Sequence, residues 1–458
     1  MTQTAIILAA GRGSKLWPYG DTWPKAALPI ANRPIIQWQI DAIRSAGIQE
    51  IVVVAGHLGS QVRQAISGYD GIECIQQKEP KGTADAVLAG LSFVKEPDFL
   101  VIYGDILFTA EDVKNLLLAH EQGQQPAALL QPLGALPSQE WLCADVENRQ
   151  VKRIVGHPRS AAHRLCGLYV LPRTLLSYLV NNPGIMTSVD VGTMPPAEFE
   201  LAESISRYLC DGGSLRAVET QQFFVDIDKP WHLLDANTAL LSHLGASLKE
   251  NRAAASAVIE PGAVIEGHAV VGEGSVIGRD VKCKGNIWVG KNSRIVDGAI
   301  IGGNTVIGDD CVIREYCRLE PCSAVGNRCV IGHAAEFGGI LMEGAYSYHY
   351  GEYWGVIGRS SDLGAATVCG NLRFDDQATI HRIKGRREFP ASAAANAVYL
   401  GDFTRTGVNA VLMPGVKVGA YSIIGAGVIL TEDVPNNTLI YVKQELVRTS
   451  WGPEKYGW

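Results

Sequence analysis

A glycine-rich loop near the amino terminus has the residue types and spacing of a phosphate-binding segment. It follows an apolar run and reads Leu8-Ala9-Ala10-Gly11-Arg12-Gly13-Ser14-Lys15-Leu16. Glycines let the backbone approach a phosphate closely, and a helix beginning after the loop would add free N–H groups. The loop lacks the third glycine of a dinucleotide fingerprint and the GK[ST] of a P-loop. By itself it is equally compatible with a tight turn between a strand and a helix.

One further cation is a candidate for binding an anion. Lys25 stands between the prolines of the segment WPKAALP, after the glycine-rich loop. Asp105 ends the buried-looking run FLVIYGD, and Asp226 lies in the segment VDIDKP. Asp228, directly before Lys229-Pro230, is predicted to cap a helix.

The elements that must position these groups alternate in type along residues 1–229. Apolar runs such as AIILAA, EIVVVAG and FLVIYGD read as buried strands, and stretches such as IIQWQIDAIRSAG and GTADAVLAGLSFV read as helices. This pattern predicts a Rossmann-like, mostly parallel sheet with helices on both faces. Ligands bind such sheets beyond the carboxyl ends of the strands, where the loop and Asp105 fall.

The second half of the chain repeats every six residues. Aliphatic or small apolar side chains recur at Ile265, Val271, Ile277, Cys283, Val289, Ile295, Ile301, Ile307, Ile313, Leu319, Val325, Ile331 and Phe337. A period of six fits neither a helix nor an ordinary strand pair. It predicts a left-handed parallel β-helix of hexapeptide repeats, with three flat faces per turn. The register is interrupted at 338–354 and 375–399, and such interruptions are where a site is expected.

Composition excludes several classes of function. The chain has 458 residues, enough for two or more domains, and a net charge of −7, which argues against nucleic-acid binding. No apolar run is long enough to span a membrane, and the amino terminus lacks the basic region of a signal peptide. The ten cysteines form no CxxC pair, which indicates reduced thiols and a cytoplasmic location.

The motifs of the first half together resemble the sugar-1-phosphate nucleotidylyltransferases, whose opening motif is LAAGxGTRL followed by PKxxLP. Ser14 and Lys15 replace the family's Thr-Arg, so the charge is kept but the guanidinium fork is lost. Gln77 lies five residues before Gly82, similar to the family's base-reading segment QxxxxGTA. Glutamine at this position is typical of the branch that uses pyrimidine nucleotides.

The resemblance implies that a sugar-1-phosphate oxygen attacks the α-phosphorus of a nucleoside triphosphate, UTP or dTTP being favoured, and releases pyrophosphate. Lys15 would hold the pyrophosphate, Lys25 the sugar phosphate, and Asp105 and Asp226 the Mg²⁺. Tyr103 and Gly167 are implied to bind the sugar. The nucleotide-binding residues implied are Leu8, Ala10, Gly11, Gly13, Ser14, Gln77, Gly82 and Thr83.

The sugar pocket departs from the family pattern. Where relatives read V-E-K-P, the chain has Val155-Gly156-His157-Pro158, and where acetamido-sugar enzymes read N-T-G-[IL]-Y it has Leu165-Cys166-Gly167-Leu168-Tyr169. The Glu and Asn that bind sugar hydroxyls are therefore absent. Because a site built to pair a hydroxyl discriminates strongly, the sugar is expected to be unusual.

The interrupted prism resembles the acyltransferase domain of the bifunctional N-acetylglucosamine-1-phosphate uridylyltransferase/acetyltransferase family. The resemblance implies His349 as the general base, Tyr353 and Asn371 as sugar-binding residues, and acetyl-CoA as the acyl donor between neighbouring prisms. Glu320 and Gly338 stand where the family has a phosphate-binding Arg and Lys. An acetyl-CoA-dependent acyltransferase and a non-catalytic oligomerisation or regulatory domain both stay open.

Four regions are expected. Residues 1–229 form the transferase domain, 230–254 a helical connector, 255–445 the β-helix and 446–458 a tail whose role the sequence does not indicate. Prisms of this type generally associate as trimers, so a homotrimer is expected.

Overall fold

The amino-terminal domain is built on a nine-stranded sheet in the computed structural model, which describes residues 2–134, 136–189 and 196–456. The strands are β1 Thr4–Ala9, β2 Glu50–Ala55, β3 Ile72–Gln76, β4 Asp98–Tyr103, β5 Ala127–Pro132, β6 Leu142–Glu147, β7 Gln150–Gly156, β8 His163–Pro172 and β9 Arg216–Glu219. Their order is β3-β2-β1-β4-β8-β5-β9-β7-β6. Strands β3, β2, β1 and β4 are parallel, as predicted, and β8 runs antiparallel to both of its neighbours.

Helices cover both faces of this sheet. They are α1 Ile35–Ser45, α2 Gly59–Ile66, α3 Thr83–Leu91, α4 Ala110–Gly123, α5 Leu176–Val180 and α6 Leu201–Cys210. Successive residues of a strand point to opposite faces, so Ile6 of β1 packs in a cluster with α3, and Ile7 packs with α1 and α4. Burial on both faces explains why β1 reads as a continuous apolar run rather than an alternating one.

The carboxyl-terminal domain is a left-handed parallel β-helix, as predicted. One face carries Val258–Ile259, Val276–Ile277, Arg294–Ile295, Val312–Ile313, Val330–Ile331, Tyr346–Ser347, Asp362–Leu363, Arg405–Thr406, Ile423–Ile424 and Leu439–Ile440. A second carries Arg252–Ala253, Ala269–Val271, Ile287–Val289, Thr305–Ile307, Ala324–Val325, Val398–Leu400 and Lys417–Val418. The third carries Val264–Ile265, Lys282–Lys284, Ile300–Gly302, Arg318–Leu319, Val368–Cys369, Val411–Leu412 and Ile429–Leu430.

The six-residue register is explained by the packing inside the prism. Residues eighteen apart pair as neighbouring parallel strands, for example Ile277 with Ile295 and Ile295 with Ile313. The side chains at the repeat positions from Ile277 to Phe337 point inward and are at most 3% exposed. They form one continuous apolar column along the axis.

The prism changes its geometry at the first predicted interruption. Strands Glu336–Leu341 and Glu352–Ile357 each cross two faces, and they pair with an offset of sixteen residues instead of eighteen. Gly339, at φ +113°, stands where the first of them turns the corner, and a Cβ there would meet the Gly355 carbonyl oxygen. Glycine is required because two backbones touch at this corner.

The two domains share an extensive contact. Helix α7 Pro230–Ser247 packs between them, and the segment 16–34 of the first domain lies against the β-helix in the same apolar cluster. Three aromatic side chains donate hydrogen bonds across the contact: Trp17 Nε1 to Asn436 Oδ1 (3.0 Å), the Tyr19 hydroxyl to the Val356 carbonyl (2.7 Å) and Trp23 Nε1 to Asp402 Oδ1 (3.1 Å). The β-helix therefore supports the segment that links Lys15 to Lys25.

Some boundaries differ from the expected ones. Arg252 already pairs with Val270, so the β-helix begins before residue 255, and its last strand ends at Ile440. All ten cysteines are free thiols. In the part of the chain that the structure describes, no helix is long and apolar enough to cross a membrane.

Candidate active site

A cavity of about 1260 Å³ opens at the carboxyl ends of β1 and β4, where the sequence places the site. Most of the predicted residues line it: Leu8, Ala10, Gly11, Gly13, Ser14, Lys15, Lys25, Gln77, Gly82, Thr83, Tyr103 and Asp105. Gly167 and Asp226 lie behind the lining. The motifs that are far apart in sequence therefore converge on one cleft.

The glycine-rich loop is shaped by close backbone contacts. Gly13 has φ +62°, and a Cβ there would lie 2.8 Å from Lys25 Cγ. A Cβ at Gly104 would lie 2.7 Å from the Leu8 carbonyl oxygen, whereas Gly11 faces open space. The expectation of an α-helix after the loop is wrong: residues 14–24 form turns, and Leu16 N–H donates to the Gly13 carbonyl. The loop therefore offers an anion its own N–H groups and the Lys15 side chain, and not the N-terminus of a helix.

Lys25 lies at the centre of a charge network. Its Nζ is 2.8 Å from Asp105 Oδ2 and 3.5 Å from Asp228 Oδ1. Burial alone would lower the pKa of Lys25, but the three nearby carboxylates, Asp105 foremost, raise it. Lys25 is therefore fixed as a cation, aimed at the cavity beside a carboxylate.

Asp228 has a different place from the one predicted. Lys229, not Asp228, is the N-cap residue of α7, and the two N–H groups there donate to His232 Nδ1. The Asp228 carboxylate lines the cavity and contacts Lys15 Nζ at 2.9 Å, Lys25 at 3.5 Å and Lys229 at 3.4 Å. Burial would raise its pKa, but these lysines hold it well below the usual range. Asp228 thus orders the cationic side of the site, a role that its sequence context did not indicate.

Asp105 and Asp226 are brought together by a two-stranded ribbon. Ile106–Leu107 pairs antiparallel with Val225–Asp226, and Ile227 N–H donates to the Asp105 carbonyl. Burial and the carboxylates of Asp105 and Asp228 raise the pKa of Asp226 to about 7. Burial is the larger cause, the two neighbouring carboxylates add to it, and Arg164 and Lys25 oppose it.

No group of three or more His, Cys, Asp or Glu side chains forms a complete metal-binding cluster among residues 2–134, 136–189 and 196–456. This fits a site in which Asp105 and Asp226 supply only part of the ligands, since Mg²⁺ commonly takes one or two carboxylates and completes its shell with substrate phosphates and water.

Gln77 lines the cavity and has a buried hydrogen-bond acceptor. Its Nε2 donates to Asp85 Oδ2 at 2.5 Å, which fixes the amide orientation, and its Oε1 has no partner among the described residues. The side chain is 8% exposed. A buried acceptor of this kind is costly unless a ligand donor pairs with it.

Tyr103 and Gly167 act as a pair, although only Tyr103 lines the cavity. Gly167 has φ +72° at an irregularity of β8, and a Cβ there would lie 2.7 Å from the Tyr103 ring. Gly167 therefore supports the ring from behind and does not face the cavity. The prediction that it contacts sugar is replaced by a packing role.

Several cavity residues were not predicted from the sequence. His157 lines the cavity with its Nδ1 2.9 Å from the Gln139 carbonyl, and burial lowers its pKa. Lys384 and Arg386 also line it, although they belong to the β-helix. They lie on a hairpin of His381–Ile383 and Arg386–Glu388, termed here the basic hairpin. The sequence indicates a basic hairpin there but not which surface it meets.

A second, smaller cavity of about 230 Å³ lies at the first interruption of the prism. His349 lines it together with Arg314, Glu315, His333, Tyr346 and Tyr348. At Gly338, a Cβ would lie 2.9 Å from the Trp354 ring, so the space of the family's lysine is filled. Arg314 is the cation of this cavity instead.

The other residues predicted for that site lie elsewhere. The Tyr353 side chain is 1% exposed, and its hydroxyl is 3.5 Å from the Gly364 carbonyl. The prediction that it contacts sugar is wrong, because the side chain is part of the prism core. Asn371 is exposed after strand Val368–Cys369 and does not line the His349 cavity.

Comparisons with known proteins agree with this architecture. The nucleotidyl transferase family model matches residues 4–242, and the bacterial transferase hexapeptide model matches residues 397–432. The bifunctional protein GlmU of Methanococcus maripaludis is 31% identical, with 97% of this chain and 98% of that protein covered. A bifunctional sugar-1-phosphate nucleotidylyltransferase/acetyltransferase of Sulfurisphaera tokodaii is 28% identical, with 94% and 98% covered.

Among solved structures, a UDP-glucose pyrophosphorylase from Acinetobacter baumannii matches with a TM-score of 0.44 and 21% identity. The match covers 54% of this chain and 94% of that one. The family models and the near full-length relatives carry the assignment. The chain belongs to the nucleotidyl transferase family, as a sugar-1-phosphate nucleotidylyltransferase with a hexapeptide-repeat β-helix that acts on a nucleoside triphosphate and a sugar 1-phosphate.

Proposed function

We propose that the cavity transfers a uridylyl or thymidylyl group from UTP or dTTP to a sugar 1-phosphate with the help of Mg²⁺. The observation that carries this proposal is that Lys15, Lys25, Asp105 and Gln77 line one cleft, with Asp226 close enough to Asp105 to raise its own pKa. A sugar-phosphate oxygen attacks the α-phosphorus, the bond to the β-phosphate oxygen breaks, and pyrophosphate leaves. The attacking oxygen is already anionic, so no general base is required.

Lysines neutralise the charge that builds up during this transfer. Lys25, held by Asp105 and Asp228, is positioned for the phosphate of the sugar. Lys15, whose side chain is 46% exposed and tied to Asp228, is positioned for the departing pyrophosphate. Both cations are held by a carboxylate before substrate arrives, so little reorganisation is needed in the transition state.

Asp105 and Asp226 would hold the metal ion. Asp228 is surrounded by three lysines, so its charge is already balanced, whereas Asp226 keeps a carboxyl group beside Asp105 without an ion pair. When bound, Mg²⁺ would supply positive charge to the α-phosphate. The carboxylates themselves fix where that charge lies relative to Lys25.

The preference for a uracil or thymine base is supported by Gln77. Its unpaired Oε1 requires a donor, and the N3–H of uracil or thymine is one. The ring nitrogens N3 of cytosine and N1 of adenine are acceptors, so either base would leave two acceptors facing each other. Asp85 prevents the amide from flipping to correct this mismatch.

Pyrophosphate release from all four nucleoside triphosphates and a panel of sugar 1-phosphates, with Mg²⁺, tests the proposal. We expect activity with UTP or dTTP and its loss in Asp105→Ala. Asp145→Ala is the matched control, since Asp145 is an exposed aspartate that pairs with Arg153 away from the cavity. Full activity of Asp105→Ala with every pair of substrates would refute the metal assignment.

A second activity is supported by the cavity at His349. A histidine can take the proton of a sugar amine as a general base, and Arg314 can hold an acceptor phosphate in the same cavity. We therefore also propose acyl transfer from acetyl-CoA to an amino-sugar phosphate. Thiol release should fall at least about tenfold in His349→Ala, the scale of a lost general base. No thiol release by the wild type would favour a non-catalytic prism.

A homotrimer is supported by apolar side chains that one chain leaves uncovered. Phe374 is fully exposed, and Leu446 and Val447 of the tail are 70% and 88% exposed. Analytical ultracentrifugation should give the mass of three chains, and truncation after residue 445 should weaken the assembly. A monomer at micromolar concentration would refute it.

The free thiols of all ten cysteines favour a reducing, cytoplasmic location.

A further inference from the structure

The basic hairpin brings side chains of the β-helix into the transferase cavity. Lys384 and Arg386 line the cavity together with Lys15 and His157, which belong to the other domain. Arg386 is close enough to act on His157, whose pKa it helps to lower after the larger effect of burial. The transferase cavity is thus formed by both domains.

The base of the hairpin is rigidly anchored. His381 is 2% exposed, and its Nε2 donates to the Ala395 carbonyl at 2.8 Å. Its Nδ1 accepts from Lys417 Nζ at 3.0 Å, and Lys417 pairs with Asp433 at 2.8 Å. The ring also packs on Trp231 of α7, with 4.7 Å between centroids. The turn that carries Lys384 is therefore held in place over the cavity.

The two cations at the tip have no protein carboxylate of their own. Within the described residues, neither Lys384 nor Arg386 forms an ion pair, and both are exposed to the cavity solvent. Glu388 of the same hairpin is directed to Lys229, at 3.9 Å. The aspartates that line the cavity form ion pairs with Lys15 and Lys25. The hairpin therefore adds net positive charge to the cavity.

The position of these cations indicates which part of the substrate they meet. Gln77 marks the end of the cavity for the base, and Lys25 with Asp105 marks the phosphates. The hairpin lies beside His157, in the segment that stands where relatives carry their sugar-binding Glu. Val155-Gly156-His157-Pro158 offers no carboxylate for a sugar hydroxyl there.

We propose that Lys384 and Arg386 bind a second negatively charged group on the sugar, so that the substrate is a doubly anionic sugar 1-phosphate. This inference depends on the proposed transferase function. Guanidinium and ammonium groups recognise a carboxylate or a phosphate equally well, so the group is either the carboxylate of a uronic acid or a second phosphate. The β-helix would then be a specificity element of the transferase.

Steady-state pyrophosphate release by the full-length protein tests this. The sugar substrates are glucose 1-phosphate, glucuronic acid 1-phosphate and glucose 1,6-bisphosphate, each with UTP-Mg²⁺. The wild type should prefer one of the two sugars that carry a second anionic group by at least about tenfold in kcat/KM. Which of them is preferred identifies the carboxylate or the phosphate as the bound group.

The double variant Lys384→Ala/Arg386→Ala should lose that preference, because the KM for the preferred sugar rises at least about tenfold while the KM for UTP changes less. Arg382→Ala/Arg387→Ala is the matched control, because it removes the same charge from the same hairpin at residues that do not line the cavity. Lys384→Arg/Arg386→Lys should restore most of the preference.

Three results would overturn the inference: a wild-type preference for glucose 1-phosphate, an equal effect of the two alanine pairs, or a rise in the KM for UTP alone. Failure of the transferase proposal is distinguishable from these, because the wild type would then release no pyrophosphate with any of the three sugars.

Discussion

Lys25 Nζ lies 2.8 Å from Asp105 Oδ2, so a cation from the loop region and a carboxylate from the end of β4 form one ion pair at the floor of the cavity. In the proposed function, this pair would join a charge for the sugar phosphate to a ligand for the metal. It also links segments eighty residues apart.

Replacing Lys25 tests this pair. Lys25→Met should lower kcat/KM by at least about a thousandfold, because a preorganised charge is lost. It should also lower Tm, since a partly buried carboxylate loses its partner. Lys25→Arg, which keeps the charge, should retain more activity and most of the Tm. A kcat/KM of the Lys25→Met variant within tenfold of the wild-type value would contradict the assigned role.

Substitutions of Asp226 and Asp228 are expected to change different kinetic properties. Asp226→Asn removes a proposed metal ligand, so it should raise the Mg²⁺ concentration for half-maximal rate by at least about tenfold. Asp228→Asn releases the lysines instead, so it should raise the KM for UTP at saturating Mg²⁺. The Mg²⁺ titration of each variant is the measurement. The reverse pattern would assign the metal to Asp228.

Gln77 should determine which nucleotide base the cavity accepts. Gln77→Met keeps the shape but removes the acceptor, so the N3–H of uracil is left unpaired. We expect kcat/KM for UTP to fall about ten- to hundredfold, while the low activity with CTP changes little. A uniform loss with both nucleotides would indicate a structural role for Gln77 and not a role in reading the base.

Substitution of Gly167 by alanine should have a larger effect than the strain of its backbone conformation alone. Gly167→Ala introduces a Cβ 2.7 Å from the Tyr103 ring at φ +72°, whereas Gly212→Ala, at φ +88°, meets nothing within 4 Å. Both substitutions carry the strain of a positive φ, about 1 kcal/mol. Only Gly167→Ala should also lower the transferase rate, because Tyr103 must move. Equal Tm losses and unchanged rates would contradict this.

His381, which anchors the basic hairpin, should make the stability of the protein depend on pH in the acidic range. Burial, together with Lys417, lowers the pKa of His381 to about 4, against about 6.5 in an unfolded chain. Below pH 6.5 the unfolded chain binds the proton first, so stability is lost as the pH falls from 6.5 towards 4. Asp433, which contacts Lys417, partly offsets this effect. Tm measured across this range should fall less steeply in His381→Gln, and parallel curves would contradict the assignment.

Much of the fold follows from local patterns in the chain. Inward side chains of the prism must recur every six residues, because each face takes two residues and each corner four, and the sequence from Ile277 to Phe337 obeys this. The apolar runs of β1 and β2 likewise predict a sheet buried on both faces. Lys25, Asp105 and Gln77 could be proposed because their motifs resemble those of a known family, and the structure brings them to one cavity.

Other assignments depended on distance in space. Asp228 reads as a helix cap, yet it binds three lysines because α7 brings Lys229 beside the loop of Lys15. The resemblance implied Tyr353 as a sugar-binding residue, yet it pairs with the inward-facing Phe337 at the sixteen-residue offset and lies in the prism core. Neither outcome is encoded in the neighbouring residues.

The two domains, the repeat and the glycine-rich loop can be predicted from the order of residues alone, because periodicity and strand ends are local properties of a chain. The entry of Lys384 and Arg386 of the β-helix into the transferase cavity is visible only in the folded protein. The reason is physical: their position depends on how helix α7 and the anchor at His381 fix one domain against the other, and no spacing along the chain contains that orientation.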